Sequence, residues 1–102
     1  MDTAFHAVAD PTRRGLLERL RTSGPLSVTD LASGLPMSRQ AVTKHLDALA
    51  ESGLVRVTRA GRERLHELDA GPLKAVHEWL APYEAEWDRR LDRLRRHLEE
   101  NP

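Results

Sequence analysis

LSVTDLASGLPMSRQAVTKHLDALAESGL, residues 26–54, is the stretch from which the fold of this 102-residue chain is best predicted. It begins with the spacing of a capping box, in which Ser27 is the N-cap of a short helix and Asp30 reaches back to it. Gly34 and Pro36 end that helix within about two turns. A longer helix follows, and two helices joined by so tight a turn form a helix-turn-helix unit.

The second helix, predicted over residues 38–51, has an outer face suited to DNA. Ser38 is its N-cap candidate, and its buried side carries apolar residues at i, i+4 and i+7, namely Val42, Leu46 and Leu49. Arg39 and Gln40 lie elsewhere on the helix, and their planar, forked donors match base edges in a major groove. Helix pairs also occur in many unrelated bundles, so the recognition helix is at this point a hypothesis.

Composition limits the possible classes of protein. A chain of this length is one domain with a core that is marginal when alone, which favours oligomerisation. The absence of cysteine excludes a thiol redox switch, a thiolate metal site and a cysteine nucleophile. The sequence shows neither a signal-peptide pattern nor a long apolar run, so we expect a cytoplasmic protein with no membrane partner.

The net charge of zero conceals an uneven distribution along the chain. Residues 38–66 carry a net charge of +3, residues 67–102 carry −3, and residues 1–37 are balanced. A basic middle beside an acidic end is typical of one surface that faces phosphates and another that faces away from them.

Helical signals also precede the helix-turn-helix stretch. Asp10 and Pro11 suit the N-cap and first position of a helix, which ends at Ser23-Gly24-Pro25. Its buried stripe is formed by three leucines: Leu16, Leu17 and Leu20. Residues 3–9 are predicted to form a short helix that docks on the core.

Residues 54–68 read as a β-hairpin directly behind the second helix. Val55 and Val57 alternate with polar residues, Ala60-Gly61 is predicted to be the turn, and residues 64–68 alternate again. The hairpin makes the unit a winged helix-turn-helix, and its tip carries Arg59, Arg62 and Arg64. Polar residues at a tip favour solubility, but three arginines there also suit phosphate or minor-groove contact.

The last segment is predicted to be a long amphipathic helix beginning near Pro72. Apolar residues recur at spacings of three and four, as in a coiled-coil seam: Leu73, Val76, Leu80, Tyr83, Trp87, Leu91, Leu94 and Leu98. Pro82 predicts a kink or a restart. The helix either packs on its own domain or, as we expect for so long a stripe, forms a dimer interface through Leu80, Tyr83, Trp87, Leu91, Leu94 and Leu98.

The predicted fold class is mostly α with a small β-hairpin, that is, a winged helix-turn-helix with a long C-terminal dimerisation helix. Residues 1–70 are predicted to form the DNA-binding domain, with the recognition helix at 38–51 and the wing at 54–68. Residues 71–102 are predicted to form the dimerisation region of the same compact domain.

Three runs of the sequence, DPTRRGLLERL, PLSVTDLASGLPMSRQAVTKHLDALAESGLV and RVTRAGRERLHEL, resemble the bacterial ArsR/SmtB winged-helix repressors. The resemblance extends from about Asp10 to Leu98, and it implies a homodimer that binds a palindromic operator and represses transcription. The closing PYEAEWDRRLDRLRRHLEE resembles the last helix of a metal-independent branch. By resemblance the residues that face double-stranded DNA are Ser38, Arg39, Gln40, Thr43, Lys44 and His45, with Arg59, Arg62 and Arg64 in the wing.

Metal sensing is not expected. Metal-sensing members carry paired cysteines where this chain has residues 26–30, and hydroxyl groups cannot replace thiolates as ligands for soft metals. Other members hold zinc between the last helices, but His77 and His97 lie too far apart to repeat that spacing. Apart from His45, which by resemblance lies near a phosphate, the histidines are interpreted as surface or partly packed residues: His6, His66, His77 and His97.

Two other classes of function are weighed against DNA binding. An enzyme is not expected, because no nucleophile-elbow pattern, Gly-rich phosphate loop or metal-ligand run is present and no cofactor is implied. A protein-interaction module that assembles through its C-terminal helix without reading DNA is the alternative. The effector is unknown: Trp79, Tyr83 and Trp87 either hold a small apolar ligand or, as we favour, form dimer core.

Overall fold

The computed structural model describes residues 1–100. This part of the chain contains five helices and three strands. In chain order they are α1 (Asp2–Val8), α2 (Pro11–Ser23), β1 (Leu26–Ser27), α3 (Val28–Ala32), α4 (Arg39–Glu51), β2 (Val55–Ala60), β3 (Glu63–Leu68) and α5 (Leu73–Glu100). The predicted fold class, mostly helical with a winged helix-turn-helix and a long last helix, is confirmed.

Side-chain caps begin three of the helices where the sequence predicts them. The Asp10 carboxylate accepts from the backbone N–H groups of Thr12 and Arg13, at 2.8 and 3.1 Å. The bond from Arg13, followed by that from Thr12, lowers the pKa of Asp10 against the opposing effect of desolvation. Ser38 caps α4 by accepting from the N–H of Ala41 at 3.1 Å.

The capping box at α3 is only half formed. The Ser27 hydroxyl accepts from the N–H of Asp30 at 3.2 Å, as predicted. The predicted return bond from the N–H of Ser27 to the Asp30 carboxylate is not made within residues 1–100, which is a correction to the prediction. Because Ser27 also belongs to β1, its backbone conformation is set by the sheet as well as by the helix.

The sheet is antiparallel, with strand order β1-β3-β2. The hairpin register runs from Val55 opposite Leu68 to Ala60 opposite Glu63, so the turn consists of Gly61 and Arg62, one residue later than predicted. Gly61 has φ of +66°, a conformation that glycine adopts without steric cost. The sequence missed β1, because a strand of two residues is too short to show alternation.

The core lies where helices α2, α3 and α4 meet the base of the hairpin. It contains the three residues predicted for α2 and the three predicted for α4, together with Ala7, Leu31, Leu54 and Val55. Val42 and Leu49 are fully buried, so α4 is held firmly by one face. The opposite face is therefore presented to solvent in a fixed orientation.

His66 is buried, which corrects its prediction as a surface or partly packed residue. It lies in β3 between Leu26 and Val57, and only 4% of its surface is exposed. Desolvation lowers the pKa of its imidazole, and a hydrogen bond with the backbone of Leu26 opposes that shift only in part. Within residues 1–100 its Nδ1 is the buried side-chain atom left without a hydrogen-bond partner.

This lowered pKa predicts that acid destabilises the fold through His66. The unfolded chain, with an ordinary imidazole pKa of 6.5, binds the proton more readily than the folded chain, so stability falls as pH drops below that value. We expect urea midpoints measured at about pH 7.5 and about pH 5.5 to differ less for His66→Leu than for the wild type.

The exposed His77 provides the matched control for this measurement. His77→Leu should keep the wild-type difference between the two midpoints, because it removes an exposed side chain and leaves the buried His66 in place. The lowered carboxyl pKa values of Asp10 and Glu18 act in more acidic solution. If His66→Leu kept the full pH dependence, the buried imidazole would not be its cause.

Helix α5 begins on the core and then leaves it. Leu73 packs against the core cluster, and the Trp79 ring meets Phe5 of α1 edge-on, with ring centroids 5.5 Å apart. Pro82 lies inside the continuous helix, so the helix does not restart there. The Cα radius of gyration of 18.4 Å exceeds the roughly 13 Å of a compact domain of this size, because α5 projects.

The division of the chain into a DNA-binding part (1–70) and a dimerisation part (71–102) stays a prediction. Residues 101 and 102 of the second part lie outside the described residues. No helix within residues 1–100 is both long enough and apolar enough to cross a membrane.

Candidate nucleic-acid interface

The outermost face of α4 is polar. At about 100° per residue, Gln40, Lys44 and Asp47 lie at i, i+4 and i+7 on the side opposite the buried stripe. All three side chains are exposed. This face can enter a groove without disturbing the core.

One flank of α4 meets the wing. Arg39 and Thr43 line an open depression of about 320 Å³ together with the wing residues Arg62 and Arg64. The remaining lining residues are Ser27, Val28, Thr29 and Glu63. The Thr43 hydroxyl donates to the carbonyl of Arg39 at 3.0 Å, which leaves its oxygen able to accept. Three arginines, Arg39, Arg62 and Arg64, therefore line one concave surface between helix and hairpin.

The wing tip holds two arginines directly opposite each other. Arg59 and Arg64 are register partners, so both project from one face of the hairpin, the face that also carries His66. Like charges directly opposite each other destabilise a strand pair. Neither has a carboxylate within ion-pair distance among residues 1–100. An external anion would relieve this repulsion.

Arg56 shows that not every arginine of the hairpin is available. It lies on the other face of the strand pair, where its guanidinium is 3.9 Å from both Glu67 and Asp69. The charge of Arg56 is thus partly neutralised within the protein, unlike those of Arg59 and Arg64.

The structure brings some of the predicted DNA-facing residues together and places others apart. Arg39, Thr43, Arg62 and Arg64 are brought together, Arg59 extends that group at the tip, and Gln40 and Lys44 form the outer face. Ser38 is exposed, with its hydroxyl accepting a bond from the N–H of Ala41. His45 lies apart on the other flank of α4, half-buried, and its Nδ1 accepts a hydrogen bond from Nε of Arg13 at 3.2 Å.

Sequence reasoning missed Arg13. It lies in the first turn of α2, 32 residues before its histidine partner, and no spacing rule links the two positions. Only the packing of α2 beside α4 brings them together.

From Leu80 onward, α5 carries an exposed apolar stripe. The side chains of Tyr83, Trp87, Leu91, Leu94 and Leu98 are 47–63% exposed, and Leu80 is half-buried. The first three stripe residues, Leu80, Tyr83 and Trp87, repeat eleven positions later as Leu91, Leu94 and Leu98. A repeat of eleven residues corresponds to about 3.67 residues per turn, so the stripe stays on one side of a nearly straight helix.

Trp79, just before the stripe, contacts the first aromatic residue of the stripe, Tyr83. The centroids of the Trp79 and Tyr83 rings are 5.1 Å apart. Trp87 is 57% exposed, and its interpretation as dimer core stays a prediction. Among residues 1–100, no group of three histidine or acidic side chains is placed to hold a metal ion.

A helix-turn-helix with one buried helix face, followed by a hairpin whose arginines converge on that helix, defines a winged helix-turn-helix DNA-binding protein. Residues 8–58 match the family model described as a helix-turn-helix domain. The chain belongs to the ArsR family of transcriptional regulators, as its relatives show.

A curated relative is the HTH-type transcriptional regulator Rv2034 of Mycobacterium tuberculosis, 43% identical over 90 residues, covering 88% of this chain and 80% of the relative. An ArsR-like transcriptional regulator from Rhodococcus sp. RHA1 superposes with a TM-score of 0.70 at 38% identity, over 93% of this chain and 89% of that one.

A third relative is the homodimeric winged helix-turn-helix DNA-binding domain of Mb0332 from Mycobacterium bovis, a possible ArsR-family regulator. It has a TM-score of 0.62 at 26% identity, covering 88% of this chain and 80% of the other. The relatives confirm the prediction of a DNA-binding transcriptional regulator and do not support the interaction-module alternative.

Proposed function

We propose that this protein is a homodimeric repressor that binds a palindromic operator in the cytoplasm. The observation that carries the proposal is the concave surface between α4 and the wing, where Arg39, Arg62 and Arg64 converge without ion-pair partners among residues 1–100. The exposed stripe of α5 supports a two-fold partner, and the M. bovis relative forms a homodimer.

In the proposed complex, each subunit inserts α4 into a major groove. Arg39 and Gln40 read base edges, Thr43 contacts a base or a phosphate, and Lys44 with Arg59, Arg62 and Arg64 supplies the salt-dependent affinity. Two-fold symmetry places the half-sites about one helical turn, near 10 bp, apart. A dimer bound over a promoter would exclude polymerase and so repress transcription.

Selection of bound duplexes from random DNA tests this proposal. We expect a palindrome to be enriched at moderate salt, with half-sites spaced by about one turn. The selection should be repeated with zinc and with a chelator, and we expect the same palindrome in each. Failure to enrich a palindrome would contradict the repressor assignment.

Arg39→Ala should weaken operator binding by about 1–3 kcal/mol and relax the preference at one base pair, because a bidentate contact to guanine is lost. The measurement is a titration of the selected operator and of its single-base variants. Arg56→Ala is the matched control, since it removes the same charge from the face of the hairpin that is already ion-paired. An equal loss on all sequences would make Arg39 a phosphate contact instead.

A further inference from the structure

A second basic site lies beside the flank of α4 that is opposite the wing. It is formed by Arg13 of α2. Its Nε donates to Nδ1 of His45 at 3.2 Å, which ties the first turn of α2 to the middle of the recognition helix. Arg13 is half-buried, and on the α1 side it borders a shallow depression with His6, Ala9 and Asp10. The wing depression does not include these residues, so the two basic sites lie on different flanks of α4.

The donors of Arg13 are only partly used within the protein. The bond to His45 occupies Nε, and no hydrogen bond or ion pair within residues 1–100 occupies either Nη atom. The nearby Asp10 carboxylate attracts the Arg13 guanidinium electrostatically but forms its hydrogen bonds with two backbone N–H groups at the start of α2. The guanidinium is therefore held at one edge, with its outer fork free to bind an anion.

The dimensions of the DNA major groove indicate that the anion bound by Arg13 is a backbone phosphate. A helix with side chains is about 10–12 Å across and the major groove is about 12 Å wide, so both flanks of an inserted helix approach phosphate backbones. If the wing flank of α4 faces one strand, then Arg13 faces the other.

We propose that Arg13 binds a backbone phosphate on the strand across the major groove from the wing, and that His45 is its positioning residue. This inference rests on the proposed DNA-binding mode and adds a contact to it. His45 then acts through its Nδ1 lone pair, which fixes the plane of the guanidinium, rather than by touching DNA itself. Because Nδ1 is the acceptor, the ring N–H donor of His45 is Nε2.

The salt dependence of operator binding tests the phosphate contact. Each phosphate neutralised contributes about −0.9 to the slope of log affinity against log salt concentration, so Arg13→Ala should reduce the magnitude of the slope by about that amount. Between about 50 mM and about 200 mM salt, the wild type should then lose about 3.5-fold more affinity than the variant.

Arg21→Ala is the matched control. It removes the same charge from the same helix, but Arg21 is exposed and paired with Glu18, so the slope should not change. An unchanged slope in Arg13→Ala, with wild type bound to its operator, would overturn the inference. Failure of the wild type to bind any selected duplex would instead overturn the proposed function.

The positioning role requires a second pair of variants. His45→Asn keeps an acceptor near the Nδ1 position and should keep the wild-type slope, whereas His45→Leu removes the acceptor and should reduce the slope toward that of Arg13→Ala. In an Arg13→Ala background, His45→Leu should have no further effect. A further loss in that background would show that His45 contacts DNA directly and would overturn its positioning role. Unfolding midpoints should be measured for all variants, to check that each is folded at the assay temperature.

Discussion

Leu91→Glu in α5 should convert the protein into a monomer and weaken operator binding by about 100-fold or more, the lower end of the avidity gained when two sites bind together. Leu91 is 63% exposed in the single chain and lies in the stripe that repeats after eleven residues. A buried carboxylate without a partner is costly, so a dimer that covers this position cannot accept it. Sedimentation equilibrium and an operator titration measure the two effects.

Ala85→Glu provides the control for this prediction. It adds the same charge to the same helix, but Ala85 is exposed and lies about 160° around the helix from the centre of the stripe. The Ala85 variant should remain dimeric and bind as the wild type does. Dimerisation that survived Leu91→Glu would show that another surface joins the subunits.

Leu46→Ala should lower the free energy of unfolding by about 2–5 kcal/mol, the usual cost of a cavity in place of a buried leucine. Leu46 is 1% exposed and fixes the recognition helix to the core. That loss is a large part of the roughly 5–15 kcal/mol that stabilises a small domain. Urea unfolding of the two proteins at one protein concentration measures it.

Lys44→Ala on the outer face of the same helix separates stability from DNA binding. Its unfolding free energy should stay within about 0.5 kcal/mol of the wild type, because its side chain is exposed and has no ion-pair partner within residues 1–100. Its operator affinity should nevertheless fall, most strongly at low salt.

If Leu46→Ala cost less than about 1 kcal/mol, the core around α4 would be able to collapse into the space left behind.

Much of the fold follows from interactions between near neighbours in the chain. Asp10 and Ser38 begin their helices because a short side chain satisfies amides two or three residues ahead. The spacing of Val42, Leu46 and Leu49 fixes the face of α4 that is buried. Alternation in the hairpin and the stripe of α5 are likewise local patterns, so the sequence was sufficient to predict a winged helix-turn-helix.

Other features needed the tertiary structure, because they depend on the angle and distance at which separate elements pack. Pairing of the two-residue strand β1 with β3 buries His66. The alternation of residues around His66 did not predict this burial, because exposed strands show the same alternation. At Pro82 the sequence left open whether the helix is kinked or restarts, and the structure shows one continuous helix there.

The candidate DNA-binding site was also partly predictable from the sequence and partly decided by the tertiary structure. The sequence by itself determined which face each residue occupies, because helix and strand periods fix this, and the family resemblance predicted which side chains face DNA. Only the tertiary structure decided which of them lie next to each other. Arg39 lies with Arg62 and Arg64 on one flank of α4, and His45 lies with Arg13 on the other. The physical reason is that secondary structure is set over a few residues, whereas these pairings are set by how α2 and the hairpin pack against α4.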